Sequence, residues 1–157
     1  MKTITAILKI KQSTHDISDE YSNEACIGFL NNSIQQIASL LIASKWVGLV
    51  KELTIMNGNE IPKNYMKSAG QFPVKVTNGK CVLLDDYDSI IFRYFATPDN
   101  ITGETEDEEL PFKHNALDEC VVQGAIILAR NENEYNISQD TALYTALQTA
   151  IANGMGQ

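Results

Sequence analysis

Cysteine is scarce in this sequence of 157 residues, and its three copies lie far apart. No two of the cysteines, Cys26, Cys81 and Cys120, have the C-x-x-C spacing. Three cysteines cannot all form disulfide bonds within one chain. This argues against a disulfide framework of the kind that holds small secreted domains together. Because two of the three lie in apolar helix patterns, we predict buried free thiols in a reducing compartment.

Histidine is scarcer still, since His15 and His114 are the only two. Neither belongs to an H-x-x-x-H or H-E-x-x-H motif, and there is no Walker A motif, no G-x-G-x-x-G and no nucleophile elbow. Asp85, Asp86 and Asp88 could surround a cation, but their spacing fits no calcium loop. We therefore predict a protein that is not an enzyme and uses no cofactor or metal. A small cytosolic metal-dependent hydrolase that uses these three carboxylates remains an alternative.

Long apolar runs are absent, and arginine is scarce. No run of 18 apolar residues occurs, so we expect no membrane span. The first eleven residues have an apolar patch interrupted by lysines and no small-residue cleavage site, which favours a short amphipathic helix over a signal peptide. Two arginines and ten lysines are outnumbered by 20 acids, which argues against nucleic-acid binding because affinity comes mostly from cations that neutralise phosphates.

What the sequence does have is an uneven distribution of charge around a net charge of −8. Residues 45–80 contain six lysines and two glutamates, a balance of +4, whereas residues 81–109 contain nine acids and Arg93, a balance of −8. Such polarity suits head-to-tail contacts between identical copies, and an unevenly charged solvated surface is the alternative. The candidate interface residues are Lys63, Lys67, Lys75, Lys80, Asp99, Glu104, Glu106, Asp107, Glu108 and Glu109.

Hydrophobic periodicity predicts an α+β fold that is mainly α, with a bundle of about four helices and a small antiparallel β insertion. In a single domain, 1–157, the bundle would span 1–46 and 114–153, and the β insertion 49–96. The residues from 99 to 109 would form an extended acidic loop, because a run of like charge repels itself.

The predicted elements have the following bounds. Helices are expected at 3–12, from Asp19–Ser22 to Lys45, at 115–130, and after a Ser138 cap as far as Asn153-Gly154. Asn78-Gly79 predicts a type I′ hairpin, and bulk on both faces of Ser89–Ala96 predicts a largely covered strand. Gly28 and Gly124, each inside a helix pattern, would fit a close crossing of two backbones.

Several short motifs follow one another in the second half of the chain. An aromatic, arginine-containing strand, Phe92-Arg93-Tyr94-Phe95-Ala96, precedes Pro98 and an acidic spacer. Leu110-Pro111, His114-Asn115-Ala116-Leu117 and a helix with Gly124-Ala125 follow. This order resembles the head-to-tail adaptor (connector) proteins of tailed bacteriophages. The segment from Tyr21 to Ile34 is similar to the opening helix of that family. The spacer is more acidic than the family pattern, and bulky Ile126-Ile127 follow the small residues.

The resemblance implies a structural virion protein, made in the host cytoplasm, at the neck of the particle. It would form a ring, commonly of twelve copies, between the portal protein and the next tail component. DNA would pass through the ring without sequence-specific binding. The C-terminal tail, with Met155 and Gln157, is a second candidate for contacting the portal. Another neck or tail protein, acting in head closure or tail completion, is the alternative.

Overall fold

The computed structural model describes residues 1–13, 21–131 and 141–155. The chain divides into two compact units, Met1–Ser44 with Pro98–Gln157, and Lys45–Thr97. We call the first the helical unit and the second the β unit. The predicted β insertion, 49–96, lies within the β unit. About 46% of the chain is helical and 22% is in strands, which confirms the predicted mainly α, α+β class.

Four helices lie in the described part of the helical unit. They are α1, Thr3–Ser13; α2, Asn23–Ala43; α3, Asn115–Asn131; and α4, Thr141–Met155. Helix α3 packs against α1, α2 and α4. Its contact with α2 includes a buried polar bond, in which the Ser33 hydroxyl donates to the Val121 carbonyl at 2.8 Å. That bond satisfies the hydroxyl inside the core and fixes the axial register of the two helices.

Helix α2 is shorter than the sequence predicts. Ser22 is its N-cap, and the Ser22 hydroxyl accepts a hydrogen bond from the Ala25 amide at 3.1 Å. Its last helical residue is Ala43, and Lys45 has a left-handed φ of 59°, which takes Lys45 out of the helix. The Ser22 cap lies at the end of the predicted start range, Asp19–Ser22, whose first two residues are outside the described part of the chain. Gly28 has no atom within 4 Å of an added Cβ, so the prediction of a close backbone crossing there is wrong.

The same helix is long and apolar enough to cross a membrane, judged by length and composition alone. Its buried side chains pack within the helical unit, mainly where α2 contacts α3. The buried set is Cys26, Leu30, Ser33, Ile34, Ile37, Ala38, Leu41 and Ile42.

Helix α4 differs from the prediction at its end, because it continues through Asn153-Gly154 to Met155. Among the described side chains of α4, Leu143, Leu147, Ala150 and Ile151 are buried, whereas Ala142 and Ala146 are exposed. The predicted Ser138 cap lies outside the described residues.

The β unit contains a 3₁₀ turn at Val47–Leu49 and five strands. The strands are β1, Val50–Met56; β2, Tyr65–Ser68; β3, Val74–Thr77; β4, Lys80–Leu83; and β5, Ser89–Ala96. They form two sheets where the sequence predicts one. A three-stranded sheet has the order β1-β5-β2, and β3 pairs with β4 as a separate hairpin. Asn78 and Gly79, with φ of 53° and 75°, make the predicted type I′ turn of that hairpin.

One face of β5 forms the core of the β unit. Phe92, Tyr94 and Ala96 pack there with Ile55 and Cys81. The opposite face is more open than predicted, because Arg93 is exposed and 59% of the Ile91 surface is accessible, although Phe95 is buried. The three cysteines are unpaired and buried, as predicted.

Candidate interaction surfaces

The acidic segment is a folded turn rather than the extended loop that was predicted. We define the acidic turn as Thr102–Glu109. The Glu108 carboxylate accepts hydrogen bonds from the Thr102 amide at 3.1 Å, the Thr102 hydroxyl at 3.1 Å and the Gly103 amide at 2.7 Å. These three donors gather around one charge, so Glu108 closes the turn that self-repulsion would otherwise hold open.

These bonds also affect the ionisation of Glu108. Burial raises the pKa of a carboxyl group, but here the amides of Thr102 and Gly103 and the Thr102 hydroxyl outweigh burial and lower the pKa of Glu108. Glu108 is therefore ionised at neutral pH and acts within the turn as an acceptor. Its charge is thus used within the turn itself.

Helix α2 holds the chain just before the acidic turn. The Asn31 side-chain amide donates to the Ile101 carbonyl at 3.0 Å, and the Asn31 side-chain oxygen accepts from the Ile101 amide at 2.8 Å. Four residues further along α2, the Gln35 amide donates to the Pro98 carbonyl at 3.0 Å. Ile101 itself is 6% exposed. Side chains one helical turn apart thus replace the backbone partners that this irregular segment lacks.

The end of the acidic turn is bonded to the first residues of the chain. The Thr3 amide donates to the Glu108 carbonyl at 2.8 Å, and the Leu110 amide donates to the Met1 carbonyl at 2.8 Å. The Met1 ammonium in turn contacts the Asp118 carboxylate at 2.8 Å, where Asp118 is 1% exposed. Burial raises the pKa of Asp118, and the Met1 ammonium opposes that shift. The acidic turn is therefore held at both ends by the helical unit.

The turn presents its remaining carboxylates to solvent. Glu104, Glu106, Asp107 and Glu109 are exposed, and so is Asp99 just before the turn. Asp107 has one distant partner, the Lys2 ammonium at 3.9 Å, with 98% of the Asp107 side chain exposed. Within the described residues, Glu104 and Glu106 form no ion pair. The carboxylates of Glu104 and Glu106 thus give this compact, anchored turn negative charge that no described residue neutralises.

A cationic surface lies in the β unit. We call it the basic cleft, a cavity of about 420 Å³ lined by Lys45, Val47, Val50, Lys67, Ser68, Ala69, Gly70, Arg93 and Phe95. This volume falls in the range of small-ligand pockets, about 300–1,000 Å³. The lining includes three cations and no carboxylate.

The alternation of the strands places these residues together. Val50 and Lys67 are both paired with Phe95, one on each neighbouring strand, so the three side chains share one face of the sheet. Arg93 lies two residues before Phe95 on β5 and therefore on the same face. The Ala69 amide donates to the Arg93 carbonyl at 2.9 Å, which continues the strand pairing beyond β2.

The three cations of the basic cleft are exposed and form no ion pair with any described residue. The Lys67 ammonium lies 5.6 Å from the centroid of the Phe95 ring, within the range of a cation–π contact. Glu52 is opposite Arg93 in the strand pairing but forms no ion pair with it. The cleft thus combines an apolar floor with unneutralised positive charge, an arrangement suited to binding carboxylates.

The structure brings together only part of the predicted interface set. Of the four lysines, Lys67 lines the basic cleft, whereas Lys75 and Lys80 are exposed on the β3–β4 hairpin and Lys63 lies in the loop before β2. Met155 is the last residue of α4. Gln157 lies outside the described residues.

Three side chains of these surfaces are absent from the set predicted from the sequence, namely Lys45 and Arg93 of the basic cleft and Asn31 beside the acidic turn. The period-2 alternation of β5 places Arg93 on the face of Phe95, so the strand pattern could have identified Arg93. Lys45 was assigned to the end of α2, and its left-handed φ follows no local sequence signal. Asn31 lies 70 residues before its partner, so no short-range pattern could indicate its role.

Net charge differs sharply between the two units. The sequence places seven cations and five acids in the β unit, a net charge of +2, and five cations and fifteen acids in the helical unit, a net charge of −10. Asp85, Asp86 and Asp88 belong to the β unit. The change from net positive to net negative charge therefore follows the boundaries of the units, and not the division after residue 80 that the sequence count uses. Opposite net charges are carried by the two compact units.

The carboxylates considered for metal binding are Asp85, Asp86 and Asp88. All three are exposed, and Asp85 and Asp86 have left-handed φ values of 57° and 58°. In the described ranges, no group of three or more His, Cys, Asp or Glu side chains is arranged to hold a metal ion.

Burial raises the pKa of the Cys81 and Cys120 thiols, which keeps both in the weakly nucleophilic protonated form.

The chain matches no family model, no curated protein and no solved structure. The acidic turn and the basic cleft are therefore the features from which a function can be argued.

Proposed function

We propose that this chain is a head-to-tail adaptor of a tailed bacteriophage, a structural virion protein that forms a ring between the portal and the tail. The order of motifs from Phe92 to Ala125, and the similar opening helix, support membership of that class. In this proposal the protein acts at the neck of the virion, around the channel through which DNA leaves.

The single observation that carries the proposal is the separation of charge between the two units, +2 and −10. Each unit also presents charges that no described residue neutralises, in the acidic turn and in the basic cleft. Two unlike surfaces on one chain favour heterologous contacts between identical copies, and such contacts close into a ring when the rotation between copies permits. Complementary charge would also fix the orientation of each contact.

The overall charge fits a channel for DNA better than a DNA-binding surface. Duplex DNA binds proteins chiefly through cations that neutralise its phosphates, and a net charge of −8 disfavours that contact. A ring of such subunits would repel the duplex from its walls, which would let DNA pass without sequence-specific binding.

The proposal is tested by electron microscopy and co-sedimentation. Purified protein at low salt is expected to show rings by negative staining, and to co-sediment with the portal protein of the same phage. A protein that stays monomeric at low salt and does not co-sediment with the portal would contradict the proposal. Rings that bind a tail component and leave the portal unbound would instead favour the alternative, a head-closure or tail-completion protein.

A further inference from the structure

The basic cleft is complete within the β unit, and it has no described neutralising partner. Lys45, Lys67 and Arg93 surround a floor that includes Val50 and Phe95. Three cations that repel one another across an apolar floor are stabilised by an acidic ligand, because complementary charge removes that repulsion. The cleft volume of about 420 Å³ accommodates a few side chains rather than a whole domain surface.

A ligand of this kind occurs in the same chain. The acidic turn offers Glu104 and Glu106, both exposed and without an ion pair among the described residues, together with the highly exposed Asp107. The turn is already ordered by the Glu108 carboxylate and by the bond from the Thr3 amide to the Glu108 carbonyl, and Leu110 just after it is bonded to Met1. Docking a preorganised segment loses less conformational entropy than docking a flexible one.

The geometry points to a specific contact in which the acidic turn of one copy binds the basic cleft of the next. Glu104 and Glu106 would face Lys67 and Arg93, and Lys45 would neutralise Asp107. This inference rests on the proposed head-to-tail assembly and names the two surfaces that make it. The turn is anchored in the helical unit and the cleft is built in the β unit, so each copy offers one of each surface and the contact can propagate.

Two charge-reversed variants test the contact. The first, K67E/R93E, reverses the cleft, and the second, E104K/E106K, reverses the turn. Each variant alone brings like charges together between copies and is expected to assemble about 100-fold more weakly than the natural chain. All four positions are exposed, so the fold is expected to survive, and circular dichroism checks that it does.

Mixing the two variants is the decisive step. In an equimolar mixture, the natural turn of one variant meets the natural cleft of the other, and the reversed turn meets the reversed cleft. We expect alternating assemblies that recover the mass of the natural ring in sedimentation velocity. A turn that contacts the cleft of its own chain would give no recovery on mixing, although the quadruple variant K67E/R93E/E104K/E106K would behave as the natural chain does.

A matched control is K75E/K80E, which makes the same change of charge on the β3–β4 hairpin outside the cleft. It is expected to assemble to within about threefold of the natural chain, because distant exposed charges are largely screened. Equal loss of assembly in K75E/K80E and K67E/R93E would overturn the inference, as would unimpaired assembly of either reversed variant. In those cases the natural chain would still form rings and the proposed function would stand. A natural chain that never assembles would overturn both.

Discussion

The side chain of Asn31 makes both backbone hydrogen bonds of Ile101, at 3.0 Å to the carbonyl and 2.8 Å from the amide. A single residue of helix α2 thereby replaces the pairing that a sheet or a helix would give to this irregular segment. Ile101 is 6% exposed, so water cannot easily supply the same bonds. The position of the acidic turn consequently depends on α2.

Asn31→Ala is expected to destabilise the helical unit by about 1–3 kcal/mol, because it leaves the buried amide and carbonyl of Ile101 unpaired. Chemical denaturation followed by circular dichroism measures the change. Asn32→Ala is the matched control on the next position of α2. Its side chain is exposed and accepts a hydrogen bond from Gln36, one turn further along the helix at 2.8 Å, a contact of about 0.2–0.5 kcal/mol. Equal effects of the two substitutions would show that the Ile101 bonds contribute nothing.

The lowered pKa of Glu108 predicts that the protein loses stability as the pH falls. Its folded-state pKa is lowered, so its contribution to stability is present above the unfolded-state pKa, about 4.3, and is lost as the pH falls through the folded value. Glu108→Gln is expected to remove this part of the acid sensitivity and to destabilise the protein at pH 7 by about 1 kcal/mol. The measurement is the free energy of unfolding between about pH 6 and pH 3.

Glu106→Gln is the control for that experiment, since Glu106 is exposed and its carboxylate forms no ion pair with a described residue. It is expected to leave the pH profile of the natural chain unchanged. If Glu108→Gln and Glu106→Gln had superimposable profiles, the three donors around Glu108 would not be stabilising its charge.

Substitution of Gly103 tests whether the left-handed backbone or the neighbouring Ile27 side chain makes a larger residue unfavourable at this position of the acidic turn. Its φ is +71°, and an added Cβ would lie 2.5 Å from the Ile27 Cδ1 methyl. Gly103→Ala is expected to destabilise by about 1–2 kcal/mol, mainly from the left-handed backbone, since the end of the Ile27 side chain can move. The same cost, within about 0.5 kcal/mol, is expected in an Ile27→Val background, which removes the methyl. Disappearance of the cost in that background would mean that the steric contact dominates.

Lys45 has a strained backbone conformation and also lines the basic cleft. Because its φ is 59°, replacement by glycine relieves a conformation that disfavours other residues, and Lys45→Gly is expected to stabilise the fold by about 1 kcal/mol. The same substitution removes one cation from the cleft, so assembly is expected to weaken by about fivefold at most, the effect of one exposed ion pair.

Lys113→Gly is the matched control, because Lys113 is an exposed lysine with a φ of 52° outside the cleft. It is expected to gain similar stability without weakening assembly. Unfolding and sedimentation equilibrium measured on both variants separate the two effects. Equal weakening of assembly by both variants would show that Lys45 takes no part in the contact between copies.

The sequence predicts those parts of the fold that local patterns encode. The strand at Ser89–Ala96 agrees with the structure to the residue, and the Asn78-Gly79 hairpin follows from the φ values that this dipeptide tolerates. The separation into two sheets depends on which strands pair across 26 to 45 residues, and no local pattern contains that information.

The candidate site likewise has features that the sequence predicts and features that depend on the folded structure. A count of charges identifies the acidic segment and Lys67, but it treats all acids in the segment alike. Glu108 differs from Glu106 because three donors converge on it, and two of those donors are backbone amides whose direction depends on the turn itself. Lys75 and Lys80 resemble Lys67 in the sequence, yet only Lys67 is in register with Phe95.

The central claim is that unlike charges on separate units hold copies of this chain together. Sedimentation velocity across a salt titration, with unfolding measured on the same samples, tests it most directly. Screening lengths fall from about 10 Å at 0.1 M salt to about 3 Å at 1 M. The account predicts that rings present at low salt dissociate into folded subunits over this range, with the unfolding midpoint unchanged. Rings that persist at 1 M salt, or that disappear only where the subunit itself unfolds, would contradict it.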